Sequence, residues 1–245
     1  MNQEVMMLTG AGQIGMAIAR RVGYGKKIVI GDKRMESAEN ISGIMNQAGF
    51  DTVPVEMDLS SRESILNLIA EARKYGEITV LINAAGVSPS QASIETILKV
   101  DLYGTAVLLE EVGKVIAPGG VGVTISSQSG HRMPQLSAQE DEQLACTPTE
   151  NLLKLPMLQP QSIKDTLHAY QMAKRCNEKR VMYESVNWGK RAQGSILFHR
   201  ELSSRPLLSM SSMGREGFLQ NMFAASCWTS GHSGRGGKCG RTSPE

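Results

Sequence analysis

The sequence has 245 residues, of which 41% are hydrophobic and 20% are charged, and its formal net charge is +2. This length suits one large α/β domain or two small ones, and the composition excludes a disordered or fibrous chain. The small net charge argues against nucleic acid or an anionic membrane as a partner.

The sequence also lacks the features of membrane, secreted and metal-binding proteins. No apolar run approaches the ~20 residues of a transmembrane helix, and residues 1–8 read as a first strand, not a secretory signal. Four cysteines and four histidines are scattered without a C-x-x-C pair, so we predict no metal site. We expect reduced thiols and a cytoplasmic location.

Strands and helices alternate along the first half of the chain. The predicted strands are 5–9, 27–31, 52–57, 78–82 and 122–126. Helices are predicted from the glycine loop 10–15, over 35–47, after a capping box at Ser60 and Glu63, and over 93–115. This order predicts an α/β fold with a doubly wound parallel sheet, the three-layer Rossmann fold.

Two segments depart from the alternation. Residues 131–160 carry four prolines among polar residues, and we interpret them as an insertion after strand five with short helical pieces. It is either a substrate-shaping lid or a decorative or oligomer-contacting loop. A helix is predicted over 162–188. From residue 192 no period is evident, so we predict a dinucleotide-binding domain over 1–191 and an irregular C-terminal segment over 192–245.

The glycine loop has the context that a dinucleotide-binding motif needs. Gly10, Gly12 and Gly15 follow a strand and open a helix, whose N-terminus would face a pyrophosphate with unpaired N–H groups. Asp32 ends the second strand, where an acid accepts hydrogen bonds from the ribose hydroxyls and repels a 2′-phosphate. We therefore predict NAD, with NADP less favoured because Lys33 and Arg34 follow at once. A solvated turn residue is the alternative interpretation of Asp32.

Five short motifs recur in order on these elements. They are Thr9-Gly-Ala-Gly-Gln-Ile-Gly15, Asp58-Leu59, Asn83-Ala-Ala-Gly86, Ile125-Ser-Ser127 and Tyr170-Gln-Met-Ala-Lys174. Through them residues 1–188 resemble the short-chain dehydrogenase/reductase family of NAD(P)-binding oxidoreductases. The family commonly forms homodimers or homotetramers, and the resemblance implies such assembly here through the helices 93–115 and 162–188.

The resemblance also implies residue roles. Ser127 would hold the substrate oxygen, Tyr170 would move the proton, and Lys174 would serve both Tyr170 and the nicotinamide ribose. Asp58 and Leu59 would meet the adenine. The implied cofactor-binding residues are Gly10, Gly12, Gln13, Ile14, Gly15, Asp32, Asp58, Leu59, Asn83, Ala84, Ala85, Gly86, Tyr170 and Lys174.

Hydride transfer at an alcohol or ketone carbon also needs these residue types on chemical grounds, apart from the family resemblance. A free tyrosine phenol, with a pKa near ~10, is a poor base at neutral pH, and an ammonium one helical turn away favours its phenolate. A serine hydroxyl polarises a carbonyl. These groups predict hydride transfer between a nicotinamide cofactor and a small alcohol or ketone. A rival tyrosine, Tyr183, has Asn187 where a lysine would stand, and Ser126 and Ser129 are rivals of Ser127.

Other functions remain open at this point. A Tyr-x-x-x-Lys pair also occurs on ordinary helices. The alternatives are a non-catalytic NAD-binding relic, or an epimerase or dehydratase on the same fold.

Two departures from the family matter for the chemistry. Asp101 stands where the family often has an asparagine that helps to position the active-site lysine. A carboxylate there can still accept hydrogen bonds from a lysine, and a solvated helix residue is the alternative. The segment between Ser127 and Tyr170 is also far longer than the family's.

The C-terminal segment departs most. The family's strand after the active-site helix is missing, yet the codons available to 192–202 spell Ala-Arg-Val-Asn-Ser-Ile-Ser-Pro-Gly-Ile in another frame. We hypothesise that 192 to about 209, and 227–245, are frame-shifted, and that 217–226 is a family-like helix. If the tail is real as written, the sixth and last strands would be missing or badly formed.

Overall fold

The strands run in parallel and form one sheet in the order β3-β2-β1-β4-β5-β6. In this computed structural model the residues described are 3–192 and 195–201, with side chains from 3 to 189. The strands are β1 (Glu4–Thr9), β2 (Lys27–Asp32), β3 (Asp51–Glu56), β4 (Glu77–Asn83), β5 (Val121–Ser127) and β6 (Ser195–Glu201). Strands β1 to β5 lie within one or two residues of their predicted bounds.

The strand order creates the crevice in which a ligand binds. From β1 the chain moves outward to β2 and β3, then returns to add β4 on the other side of β1. The loops that leave β1 and β4 therefore diverge at the carboxyl edge of the sheet. In doubly wound sheets this switch point is the ligand-binding position. The predicted α/β fold is confirmed.

Helices cover both faces of the sheet and make three layers. They are α1 (Gln13–Val22), α2 (Met35–Gln47), α3 (Arg62–Arg73), α4 (Ile94–Ile97), α5 (Thr105–Gly113), α6 (Ala138–Cys146) and α7 (Thr166–Ala192). Successive residues of β1 point to opposite faces. Met6 and Leu8 pack with α1 and α2, whereas Val5 and Met7 pack with α3, α5 and α7. Within the described ranges, no helix is both long and apolar enough to cross a membrane.

Two helices differ from the prediction. Helix α3 is capped by Ser61, whose side chain accepts the N–H of Ser64, so the predicted capping box at Ser60 is wrong. Ser60 instead donates its hydroxyl to Asp58. The predicted helix over 93–115 is interrupted by a π-helical segment, Leu98–Gly104, between α4 and α5.

The insertion forms a helical layer over the active-site helix. It contains α6 and short 3₁₀ turns at Thr149–Lys154 and Pro156–Leu158. These are the short helical pieces that the sequence predicted. Its buried leucines join an apolar cluster with α4, the π-helical segment and α7. The main members are Leu144, Leu152, Leu158, Leu102, Met172 and Cys176.

The chain after α7 differs from expectation. Helix α7 runs four residues past its predicted end, and residues 195–201 form β6, which pairs in parallel with β5 from Val121↔Ser195 to Ser127↔Glu201. The expectation that a sixth strand would be missing is wrong at this edge of the sheet. The predicted helix at 217–226 and the tail from Cys227 lie outside the described residues.

Candidate active site

The glycine loop joins β1 to α1 by a turn that requires glycine at its first position. Gly10 has a φ of +88°, and a Cβ there would lie 2.6 Å from the backbone nitrogen of Ala85. A Cβ at Gly15 would meet the carbonyl oxygen of Gly10 at 2.9 Å. These two glycines therefore allow the loop, helix α1 and the segment after β4 to pack closely.

Gly12 has a different environment. It is the N-cap of α1 with extended backbone (φ −107°, ψ 173°), and no described side chain caps the helix. A Cβ at Gly12 would meet nothing within 4 Å. Gln13 and Ile14 follow, exposed in the first turn. The loop thus leaves an open cradle in front of a helix N-terminus, and a pyrophosphate fits both the space and the positive end of the dipole.

Asp32 is tied to that loop. Its Oδ2 accepts the N–H of Ala11 at 2.8 Å, and its Oδ1 accepts the N–H of Arg34 at 2.9 Å. The carboxylate is therefore fixed beside the cradle at the carboxyl end of β2. An aspartate that accepts the N–H two residues ahead is also usual in turns, so Asp32 as a ribose ligand stays a prediction. Its spare acceptor capacity suits it to bind ribose hydroxyls.

The cation after Asp32 is paired with another predicted site residue. Lys33 Nζ lies 2.8 Å from Asp58 Oδ2, and Asp58 Oδ1 accepts both the N–H and the hydroxyl of Ser60. Burial would raise the pKa of Asp58, but the hydrogen bonds from Lys33 and Ser60 outweigh it and lower that pKa. The sequence had no signal for the Lys33–Asp58 pair. The side chain of Leu59 packs in the core, and its predicted adenine contact stays a prediction.

Strand β4 ends beside the glycine loop. Asn83 is buried and accepts the hydroxyl of Thr9 through Oδ1 at 2.8 Å. The N–H of Ala84 donates to the carbonyl of Thr9. Asn83, Ala84 and Ala85 therefore pack beside Thr9 and Gly10. The contact of Asn83 to Gly86 with a cofactor stays a prediction.

Strand alternation separates the two candidate serines at the end of β5. Ser126 is buried, and its hydroxyl donates to the carbonyl oxygen of Lys174 at 3.3 Å. Ser127 points to the opposite face and is half-buried. Its Oγ accepts the N–H of Ser129 at 3.2 Å. Ser126 is therefore engaged by the backbone of α7, and the role of Ser127 at the substrate stays a prediction.

Tyr170 and Lys174 lie one turn apart on α7. Lys174 Nζ lies 5.1 Å from the centroid of the Tyr170 ring. The lysine is 6% exposed, and a Cβ at Gly86 would lie 3.4 Å from its Nζ. Lys174 Nζ thus lies near the segment after β4 and near the Tyr170 ring. Tyr183 is exposed farther along α7.

Asp101 reaches the same place from the π-helical segment. Its side chain is 0% exposed, its Oδ2 lies 3.0 Å from Lys174 Nζ, and its Oδ1 accepts the N–H of Val87 at 2.8 Å. The alternative of a solvated helix residue is wrong for Asp101. The sequence signal was a carboxylate at the position where the family often has asparagine.

The insertion contributes apolar side chains to the buried cluster on which Tyr170 also packs. Tyr170 packs half-buried against the apolar cluster, as do Met133, Leu136 and Met157 of the insertion. Within the described residues, no group of three or more His, Cys, Asp or Glu side chains could hold a metal ion.

Comparisons with known proteins agree with this geometry. The family model described as short chain dehydrogenase matches residues 4–138. The "Short-chain dehydrogenase/reductase bsc3" of Alternaria brassicicola is 33% identical over 213 residues, which cover 86% of this chain and 77% of that protein. The 7alpha-hydroxysteroid dehydrogenase of Bacteroides fragilis is 35% identical over 108 residues, 42% of this chain and 41% of that one.

Solved structures share the fold at low sequence identity. A short chain dehydrogenase from Mycobacterium smegmatis has a TM-score of 0.62 and 18% identity, and the match covers 94% of this chain and 89% of that one. A xylitol dehydrogenase with bound NAD⁺ has a TM-score of 0.59 and 18% identity over 80% of this chain and 68% of that chain.

Proposed function

Because this chain belongs to the short-chain dehydrogenase/reductase family of NAD(P)-dependent oxidoreductases, we propose that it interconverts a small alcohol and its carbonyl compound with Ser127, Tyr170 and Lys174. The observation that carries the proposal is the position of Lys174. Its ammonium lies 5.1 Å from the centroid of the Tyr170 ring and close to Gly86 in the segment after β4. One cation can therefore serve a proton-transfer group and a bound cofactor.

The cofactor we propose is NAD. The cradle at Gly12, the uncapped start of α1 and the Asn83–Gly86 segment would hold it. Two features favour NAD over NADP. Asp32 places a negative charge beside the ribose position, and Lys33 is engaged by Asp58. A bound nicotinamide supplies the hydride donor or acceptor.

The side chains do the proton chemistry. Ser127 would donate its hydroxyl hydrogen to the substrate oxygen and orient it. In reduction Tyr170 gives that oxygen its phenol proton, and in oxidation the phenolate takes the proton back. Lys174 stabilises the phenolate through its charge. The apolar side chains of the insertion pack on the same cluster as Tyr170, and we expect them to favour a substrate with an apolar body. Self-association and a cytoplasmic location stay predictions.

Tyr170→Phe tests this assignment. We expect turnover of an alcohol and ketone panel to fall at least ~100-fold, because a positioned general acid contributes about that much. NADH affinity should stay within about twofold of the wild type, since the phenyl ring remains. Measurement pairs NADH fluorescence titration and a thermal melt with steady-state rates.

Tyr183→Phe is the matched control, since it removes the same hydroxyl from an exposed tyrosine of the same helix. Comparable loss of binding and turnover in Tyr170→Phe would contradict the role given to Tyr170. Product formation without net change in NADH would point instead to an epimerase or dehydratase.

A further inference from the structure

The turn that follows β5 packs closely against α7. This 3₁₀ turn, Gln128–His131, begins at Ser127, and we call it the serine turn. Gly130 within it is buried, and a Cβ there would lie 2.8 Å from the backbone nitrogen of Arg175 and 2.9 Å from the carbonyl carbon of Lys174. Glycine alone fits this gap, because non-bonded carbon atoms keep about 3.5 Å apart.

Ser126, the residue before the turn's first serine, reaches the same peptide unit of α7. Its side chain is buried, and its hydroxyl donates to the carbonyl oxygen of Lys174 at 3.3 Å. A carbonyl oxygen has two lone pairs, so it can accept this hydroxyl in addition to a helical N–H. The hydroxyl of Ser126 and the close approach of Gly130 therefore converge on the single peptide between Lys174 and Arg175.

Ser127 lies between these two contacts along the chain. Its Oγ accepts the N–H of Ser129 in the serine turn at 3.2 Å, which leaves its hydroxyl hydrogen to be donated elsewhere. At the end of the serine turn, His131 Nε2 lies 3.4 Å from Glu178 Oε2 on α7. The chain is thus held to α7 both before and after Ser127.

The proposed reaction needs the Ser127 hydroxyl and the Tyr170 phenol at one substrate oxygen. The two groups come from different elements, β5 and α7, so their separation depends on how those elements pack. A misplacement of about 1 Å can lower a rate by ~100-fold. The peptide on which the serine turn rests begins at Lys174, about one helical turn after Tyr170, and is therefore close enough to fix this separation.

We propose that Ser126 and Gly130 are positioning residues that dock the serine turn on α7. They thereby set the distance between the Ser127 hydroxyl and the Tyr170 phenol. Both act through the packing of β5 and its turn against α7, not by contact with the substrate. The proposal rests on the function proposed above, and it gives a separate role to the serine that the sequence offers as a rival of Ser127.

Gly130→Ala tests the close approach. The serine turn must move away from α7 by roughly 0.6 Å, so that the 2.9 Å between the new Cβ and the Lys174 carbonyl carbon reaches about 3.5 Å. We expect kcat for a ketone to fall at least ~10-fold, while NADH affinity stays within about twofold because the glycine loop and Asp32 are unchanged. Steady-state rates and NADH fluorescence titration measure both.

Gly120→Ala is the matched control. Gly120 is buried at the amino end of β5, away from the crevice, and a Cβ there would lie 2.8 Å from the carbonyl oxygen of Ala117. Both variants press a methyl group against backbone, so both should melt at a lower temperature than the wild type. At a temperature below both transitions, kcat of Gly120→Ala should stay within about twofold of the wild type. A merely structural role of Gly130 would make the two variants alike in kcat.

Ser126→Ala keeps the test decisive should Gly130→Ala fold poorly, because it removes one hydroxyl without adding volume. We expect kcat to fall about 5- to 10-fold with NADH affinity unchanged. Ser185→Ala removes the same kind of bond from the same helix, since the Ser185 hydroxyl donates to the carbonyl oxygen of Met182 at 2.8 Å. Its kcat should equal that of the wild type.

Crystal structures of the wild type and the variants decide the inference without a substrate. The distance between Ser127 Oγ and Tyr170 Oη should differ from the wild type in Gly130→Ala and Ser126→Ala, and should be unchanged in Gly120→Ala. An unchanged distance in the first two variants, or equal kcat losses in Gly130→Ala and Gly120→Ala, would overturn it. Absence of wild-type turnover across the ketone panel would refute the proposed function, and the measured distances would still decide whether the two residues position the serine turn.

Discussion

The carboxylate of Asp32 is held by two backbone N–H groups beside the glycine loop. In this position a negative charge favours ribose hydroxyls and repels a 2′-phosphate. We expect Asp32→Ala to weaken NADH binding by ~10- to 100-fold, because hydrogen bonds to a charged group are worth roughly 1.5–3 kcal/mol. NADPH binding should change much less. Parallel fluorescence titrations with the two cofactors measure the difference.

Lys33→Ala is the matched control for the cofactor preference. Its ammonium is engaged by Asp58 at 2.8 Å, so its loss should change NADPH affinity by less than about threefold. Asp32→Asn, which keeps one acceptor oxygen for Ala11, separates charge from loop structure. If Asp32→Ala weakened the binding of NADH and of NADPH equally, the assignment of Asp32 to the ribose would be contradicted.

At the scale of single residues, the sequence indicates a site residue where a short local motif marks it. Asp32 follows from its place at a strand end, whereas Tyr170 and Lys174 follow from the resemblance to the family. The Lys33–Asp58 pair could not be predicted, because its members are distant in sequence and meet only in the folded chain. The Asp101–Lys174 pair is one that the resemblance indicated and that burial of Asp101 distinguishes from a solvated helix residue.

The glycines of the loop should differ in how well they tolerate substitution by alanine, because the space around them differs. Gly10→Ala puts a Cβ at 2.6 Å from backbone at a φ of +88°, so we expect a loss of about 2–5 kcal/mol of stability. Gly12→Ala adds a Cβ to open space on extended backbone. Its stability should change by less than about 0.5 kcal/mol, while NADH affinity falls at least ~10-fold. Urea unfolding and NADH titration measure both.

Gly43→Ala controls for the added methyl group itself. Gly43 lies within α2, away from the crevice, and a Cβ there also meets nothing within 4 Å. It should gain about 0.5–1 kcal/mol from helix propensity and bind NADH normally. Normal NADH binding by Gly12→Ala would show that the cradle does not hold the pyrophosphate.

The insertion is anchored to α5 by a charged network around Glu110. Burial alone would raise the pKa of Glu110, but hydrogen bonds from Thr149 of the insertion, Arg62 and Lys114 outweigh it and bring the pKa to about 2. Since this pKa lies below the ordinary value of 4.5, the network stabilises the fold above that pH. The contribution is lost as the pH falls towards about 2.

Glu110→Gln should therefore lower stability near neutral pH by about 1 kcal/mol. It should also flatten the loss of stability between pH 4.5 and about 2. Denaturant unfolding at a series of pH values gives both quantities. Glu142→Gln changes an exposed glutamate of α6 and should leave the curve as it is. If the free energy of unfolding of Glu110→Gln fell with pH as steeply as that of the wild type, the network would not anchor the insertion.

At the scale of elements, periodicity predicted β1 to β5 and the helices between them, because the central strands β1, β2 and β4 are largely buried and the helices are amphipathic. It missed β6, whose seven residues add to the edge of β5 through backbone pairing. It also missed the π-helical segment, whose residues Leu98–Gly104 read as part of an ordinary helix. Backbone pairing and helix widening leave little trace in residue type.

At the scale of the whole molecule, the insertion restricts where two copies could meet. Its leucines cover the apolar surface shared by α4, the π-helical segment and the first half of α7. Farther along α7, Met182 is 58% exposed and Val186 is 56% exposed. They lie one turn apart and form an apolar stripe on the surface. We therefore predict that copies of the chain associate through this stripe.

If copies of the chain associate there, sedimentation equilibrium should give a dimer or tetramer of the 26.6-kDa chain. Met182→Lys with Val186→Lys should shift the mass to one chain, because two buried lysines without partners would cost more than the lost apolar contact. Leu66→Lys, at a position 43% exposed on α3, should leave the wild-type mass unchanged. Since Tyr170 and Lys174 lie two turns or more before the stripe on α7, turnover per chain should persist in the dissociated variant. A wild type that sediments as a single chain would exclude this interface.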